Sequence, residues 1–158
     1  MIFADSIWIN ASPPRIWEHV ACPDRWPRFY AETKCAQISP EGGVAGSLYA
    51  MEFGTHATRT LTHCEIVDLR PGSMIAVKCT VDEKSQPMLS GEQTMLIAYE
   101  LQDEGPRTKV TERVEMTGTP DVLVNWLTTV IGWLIYRFRK LAGNTTLRRL
   151  KRVVEGPL

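Results

Sequence analysis

The chain has 158 residues, 18 Lys and Arg against 18 Asp and Glu, and is 44% hydrophobic. That length suits one domain spanning 1–158, and such a domain buries roughly 70% of the surface its unfolded chain exposes, so neither a metal nor a disulfide staple is needed to hold a core. A formal net charge of zero gives no long-range field to gather nucleic acid or an anionic membrane, and no nucleic-acid partner is expected.

The first periodic segment, Phe3 to Ile9, alternates as a strand does, with Phe3, Asp5, Ile7 and Ile9 on one face and Ala4, Ser6, Trp8 and Asn10 on the other. A helix start follows: Ser12 is placed to cap the free amides of the next turn, and Pro13 fits the first helical position, where an N–H would have no partner. Ile16, Trp17 and Val20 form its apolar stripe, which ends near Cys22-Pro23. A second short helical piece is expected over Asp24–Tyr30, carrying Trp26, Phe29 and Tyr30, with Pro27 limiting its regularity.

From there the chain is rich in β-branched and aromatic runs separated by Gly, Pro and acidic turns. Strands are expected near Lys34–Ser39, Ser47–Phe53, Thr58–Leu69, Met74–Val81, Gln93–Leu101 and Lys109–Thr117. Most of the separators, such as Arg70-Pro71-Gly72-Ser73, are short, which suits antiparallel hairpins, because parallel strands need long crossovers. Thr119-Pro120-Asp121 then repeats the cap-and-proline start, and helical periodicity runs from Val122 to about Val154. A continuous helix of that length would extend about 50 Å at 1.5 Å per residue, with Gly132 and Gly143-Asn144 as weak points where it bends or breaks. Its early part, Val122–Tyr136, is apolar and uncharged but about 15 residues long, short of the roughly 20 a membrane span needs, and it contains Asn125, Thr128 and Thr129. A buried core helix is expected, with no stable membrane insertion. Its basic end, Arg148, Arg149, Lys151 and Arg152, complements the negative end of the helix dipole.

Cys22, Cys35, Cys64 and Cys79 are widely spaced and form neither a CxxC pair nor a Cys/His cluster of metal-ligand spacing. They read as buried apolar thiols of a cytoplasmic protein, and neither metal nor cofactor is expected. Met1-Ile2-Phe3-Ala4-Asp5 shows no basic and apolar leader, which again points inside the cell. The element order is strand, two short helices, six strands and a helix. One open sheet of seven strands must bury a face, and the large apolar partner at hand is the C-terminal helix.

That order, with Ile7-x-Ile9-x-Ala11-Ser12-Pro13-x-x-x-Trp17 and Pro23-Asp24-x-Trp26-Pro27, resembles the START/polyketide-cyclase (SRPBCC) superfamily. Val67-x-x-x-Pro71-Gly72 and Thr108-x-Val110-Thr111-Glu112 extend the similarity over nearly the whole chain. The resemblance implies an α+β helix-grip fold, a seven-stranded antiparallel sheet wrapped around a long C-terminal helix. It also implies a cavity between them for a small hydrophobic molecule such as a lipid, quinone or polyketide. Fold does not choose between carriage and cyclase or dehydrase chemistry.

Strand parity nominates the residues that face such a cavity. On Thr58–Leu69 the two faces are Arg59, Leu61, His63, Glu65, Val67 and Leu69 against Thr58, Thr60, Thr62, Cys64, Ile66 and Asp68. Similarity to the aromatic-polyketide cyclases implies that the Arg59 face points inward, where Arg59 and His63 would orient a polar ligand group; the alternative leaves Arg59 and Glu65 at a solvent rim. Glu112 shares a parity with Val110, Val114 and Met116, so it faces the helix if they do; otherwise it is an exposed cross-strand partner of Lys109 or Arg113. Tyr49, Met51 and Phe53, and Met95, Ile97 and Tyr99, form apolar stripes that line a pocket or fill a core. Trp126, Val130 and Trp133 would close it from the helix.

In those cyclases an inward arginine helps fold the substrate, and the register set by Trp26 and Val67 puts Glu65 at that place. No phosphate loop, HExxH or GxSxG is present. The expected role is therefore non-covalent binding of a small hydrophobic ligand, with an acid/base enzyme using Glu112, His63 or Arg59 as the alternative.

Overall fold

A computed structural model describes residues 2–31, 33–53, 60–81, 94–117 and 145–156. In chain order they form β1 (Ile2–Ile9), α1 (Pro13–Val20), a 3₁₀ turn (Pro23–Arg28), β2 (Thr33–Gln37), β3 (Leu48–Phe53), β4 (Thr60–Arg70), β5 (Met74–Val81), β6 (Thr94–Asp103), β7 (Thr108–Thr117) and α2 (Thr145–Glu155). The seven strands make one sheet in the order β1-β7-β6-β5-β4-β3-β2, and every neighbouring pair is antiparallel. β2 to β7 form a meander, and β1 joins it on β7, so β1 and β2 are the two edges. Pro71-Gly72 closes the β4–β5 hairpin: Ser73 N donates to Arg70 O at 3.0 Å, and Gly72 takes a φ of 76° that a side chain would disfavour.

One face of the sheet is apolar and covered. Ile9, Val110, Ile97, Tyr99, Ile75, Val77, Cys79, Cys64, Ile66, Tyr49 and Met51 lie on it, all 1% exposed or less. Against it pack the α1 stripe of Ile16 and Val20 and the α2 stripe of Leu147, Leu150 and Val154, whose spacing is that of one helical face. α2 is tied to β1 by polar contacts as well. Lys151 Nζ donates to Trp8 O at 2.9 Å and lies 3.6 Å from the Glu155 carboxylate, and Glu155 Oε1 accepts from Asn10 N at 2.7 Å. Arg148, Arg149 and Arg152 are exposed, as a solvated helix end requires. Thr108, fully buried, donates to Ala11 O at 2.7 Å and pins the start of α1 to β7.

Several local expectations are corrected. Ser12 holds the extended N-cap conformation, but its side chain makes no cap; its carbonyl instead accepts from Arg15 N and Ile16 N. The Asp24–Tyr30 piece is a 3₁₀ turn over Pro23–Arg28, because Pro27 cannot donate an α-helical bond. Of the long helix expected from Val122 to Val154, the described part is Thr145–Glu155; the remainder, with Gly132 and Gly143-Asn144, lies outside the described residues.

The largest correction concerns β4. The face expected to point inward is the outer one: His63, Glu65 and Val67 are exposed, while Thr62, Cys64 and Ile66 are buried. A bulge between Ile66 and Asp68 then shifts the register, so that Leu69 rejoins the covered face and pairs with Ile75.

Candidate functional site on the covered face of the sheet

The register places three polar side chains side by side on the apolar face. Asp5 of β1 stands opposite Glu112 of β7, and Glu112 opposite Tyr99 of β6. Cross-strand neighbours on one face have Cβ atoms about 5 Å apart, close enough for their side chains to meet. Glu112 is 2% exposed, flanked along β7 by Val110 and Val114. A carboxylate taken out of water at that depth persists through hydrogen bonds to it.

Two tyrosines supply them. Tyr30 donates to Glu112 Oε1 at 2.6 Å. Tyr99 Oη lies 2.8 Å from the same oxygen and 2.8 Å from Tyr30 Oη. Each phenol has one proton; Tyr30 spends its own on Glu112, and that of Tyr99 serves either Glu112 or Tyr30. The result is a triangle of one carboxylate oxygen and two phenol oxygens. Burial pushes both phenols well above their ordinary pKa, and the Glu112 charge pushes each further, as does Tyr30 for Tyr99. Both therefore stay protonated donors at neutral pH.

An aromatic cluster holds the triangle in place. Trp26 stacks on Tyr30, with ring centroids 5.6 Å apart and planes 20° apart, and meets Tyr99 edge-on at 5.5 Å. Phe29 meets Tyr99 edge-on at 6.2 Å, and Phe53 meets Tyr30 at 6.3 Å. Trp26 itself is fixed because its indole N–H donates to Val20 O at 3.0 Å. The 3₁₀ turn thus delivers Tyr30 to a strand 82 positions away in the chain. Each edge-to-face or offset pair contributes about 0.5–1.5 kcal/mol beyond the area it buries.

The other expected site residues divide clearly. Tyr49 and Met51 are buried on the covered face, and the Tyr49 hydroxyl accepts from Gly43 N at 2.7 Å, so its polar end ties down the loop before β3. Gly43 holds φ 73°, and a Cβ there would sit 2.8 Å from Cys22 Sγ, so the close approach requires glycine. Val114 packs partly buried against the core. Leu61 is half-buried opposite Glu52 on the outer parity of β4, and His63 is exposed opposite Thr80, so neither joins Glu112. Glu65 is exposed too and does not occupy an inward arginine's place. Arg59, Trp126, Val130 and Trp133 lie outside the described residues. Tyr30 was not among the expected site residues; its signal is the Trp26-x-x-Phe29-Tyr30 run, too many aromatics for one short turn to bury alone.

Chemically, the triangle gathers one carboxylate oxygen and two phenols that hydrogen-bond one another within 2.8 Å, and an incoming polar group would exchange with one of these internal bonds in a setting where water competes little. It can fix the orientation of a hydroxyl, carbonyl or amine, or pass a proton between such a group and Glu112. Among the described residues no group of three His, Cys, Asp or Glu is placed to hold a metal. No described helix is long and apolar enough to cross a membrane.

Comparison with known proteins gives a consistent picture. Residues 2–155 match the family described as polyketide cyclase / dehydrase and lipid transport. No curated protein matches the sequence. Among solved structures, a protein from Chromobacterium violaceum is 19% identical with a TM-score of 0.65, covering 99% of this chain and 98% of its own. Major latex-like protein 151 from Panax ginseng is 12% identical with a TM-score of 0.67, covering 99% and 98%. DynU16, a protein of the dynemicin biosynthetic locus, is 16% identical with a TM-score of 0.57, covering 98% of this chain and 47% of its own. At these identities the likeness is one of fold.

Proposed function

The chain belongs to the polyketide cyclase / dehydrase and lipid transport family, and from that premise we propose that it binds a small, largely apolar molecule non-covalently between the sheet and the C-terminal helical region. The observation that carries this reading is Glu112, a carboxylate 2% exposed on an otherwise apolar face, held by two phenols. A core built for stability alone gains little from a buried charge, since a well-packed apolar residue serves as well or better. A ligand site gains an orienting group. Glu112, Tyr99 and Tyr30 fix the ligand's polar atom, and Met51, Tyr49 and Val114 meet its apolar body. Arg59, Trp126, Val130 and Trp133, outside the described residues, remain proposed ligand contacts in this reading. Four free cysteines suit the reducing cytoplasm as its compartment.

Native mass spectrometry of gently purified protein, together with titration by the neutral fluorescent probe N-phenyl-1-naphthylamine, tests the reading. Saturable one-to-one binding is expected, and the absence of both a co-purified molecule and saturable probe binding would contradict it.

A second reading is an acid/base enzyme, a cyclase or dehydrase. It draws support from the same convergence of acceptor and donors, with Glu112 taking a proton and a phenol supplying one. It no longer includes His63, which faces solvent. Its mark would be a co-purified molecule that Glu112→Gln protein retains and native protein converts.

A further inference from the structure

Cys64 of β4 and Cys79 of β5 stand directly opposite each other on the covered face, 1% and 0% exposed, with their sulfurs 2.8 Å apart. The other two cysteines have no such arrangement: Cys35 on β2 is opposite Met51, and Cys22 precedes the 3₁₀ turn. Directly opposite strand residues hold their Cβ atoms about 4.5–5.5 Å apart, and a disulfide holds them about 3.5–4.5 Å apart. Closing the bond therefore asks for a small local approach of two already hydrogen-bonded strands.

We propose that Cys64 and Cys79 are a reversible dithiol–disulfide pair, an oxidation site built into the covered face of the sheet. The pairing stands on the register and the sulfur contact, and does not depend on the ligand-binding reading.

The oxidant is a peroxide, which reaches buried thiols through local opening of the strands. The Cys64 thiolate attacks one oxygen of hydrogen peroxide; the O–O bond breaks, hydroxide leaves, and Cys64 becomes a sulfenic acid. The Cys79 sulfur then attacks the Cys64 sulfur, the S–O bond breaks, and the hydroxyl departs as water with the Cys79 proton. Two thiols are oxidised and one peroxide is reduced to two waters. An external dithiol reverses the step by exchange. The shared hydrogen bond fits these roles, since it draws the Cys64 thiol down and pushes that of Cys79 up, with burial adding to the rise at Cys79.

Oxidation would also be felt along the sheet. Cys79 is opposite Met95 and Cys64 opposite Tyr49, so the pair sits in one cross-strand row with Tyr49, which is proposed to meet a ligand.

Intact-mass measurement of the full chain treated with near-stoichiometric hydrogen peroxide, followed by alkylation in denaturant and peptide mapping, tests the proposal. The expected result is a loss of about 2 Da, the two thiol hydrogens, with a Cys64–Cys79 linked peptide, alkylated Cys22 and Cys35, and full reversal by dithiothreitol. In Cys79→Ala protein, shown to be folded by its thermal transition, Cys64 should stop at a sulfenic acid that dimedone traps. Four alkylatable thiols after peroxide, a disulfide that uses Cys22 or Cys35, or oxygen addition without a cross-link would each overturn it.

Discussion

The two faces of the sheet hold their charges in different ways. On the outer face, Arg113 and Glu115 approach to 3.4 Å with side chains 49% and 31% exposed, and Arg70 and Asp68 approach to 3.4 Å at 68% and 42%. Exposed pairs of this kind contribute about 0–1 kcal/mol each, because water screens them and two long side chains lose freedom. On the covered face, Glu112 is nearly out of water and its partners are neutral phenols held rigid by an aromatic cluster. Arg113 and Glu112 are adjacent in sequence, yet one is solvated surface and the other is the centre of the candidate site. Chemistry here is assigned by face, and a residue type counts only once its face is known.

That contrast can be broken by substitution, and the effects should fall in a definite order. Trp26→Ala removes the ring that stacks on Tyr30 and meets Tyr99, so it should lower stability by about 3–5 kcal/mol in urea unfolding and loosen the triangle as well. Glu112→Ala removes the shared acceptor; one phenol still donates to the other across 2.8 Å, and the single buried donor left over should cost about 1–3 kcal/mol. Tyr99→Phe removes one hydroxyl and keeps the ring, for about 1–2 kcal/mol. His63→Ala, on the outer face, should change stability by less than about 0.5 kcal/mol and leave probe binding unaltered. If His63→Ala weakens probe binding as much as Tyr99→Phe, the assignment of faces on β4 is wrong.

A pH titration sharpens the same comparison. The folded-state pKa values of Tyr30 and Tyr99 lie well above the ordinary 10.0. Below about pH 10 both phenols are protonated in the folded and the unfolded chain, and their contribution is complete. Above it the unfolded chain releases protons that the folded one retains, so stability falls as pH rises, by up to about 1.4 kcal/mol per pH unit for each tyrosine. Urea unfolding at rising alkaline pH should show this decline, and Tyr99→Phe should make it shallower. Equal slopes in the two proteins would remove Tyr99 from the buried network.

How much of this could be read from the residues varies with the kind of signal. For Glu112 the sequence carried the parity shared with Val110 and Val114, which holds because no irregularity interrupts β7, but it left open whether that parity faces the core or solvent. The alternation of β1 was legible for the same reason, with Phe3, Asp5 and Ile7 more covered than Ala4 and Ser6. β4 was not. Both of its faces carry apolar residues, Leu61, Val67 and Leu69 on one parity and Cys64 and Ile66 on the other. The bulge after Ile66 then puts Leu69 on the same face as Cys64 although their parities differ. A period of two cannot describe a strand whose register changes midway. The role of Tyr30 was hidden for another reason: its partners Tyr99 and Glu112 are distant in sequence, and only the folded turn brings it to them.

The central claim is that the Glu112 triangle orients the polar group of a bound apolar molecule. The most direct test is the dissociation constant of N-phenyl-1-naphthylamine for native and Glu112→Gln protein, measured at a temperature where both are folded. The account predicts saturable binding to the native chain and a loss of about tenfold or more in the variant, which corresponds to about 1.4 kcal/mol. Equal affinities in two folded proteins would contradict it.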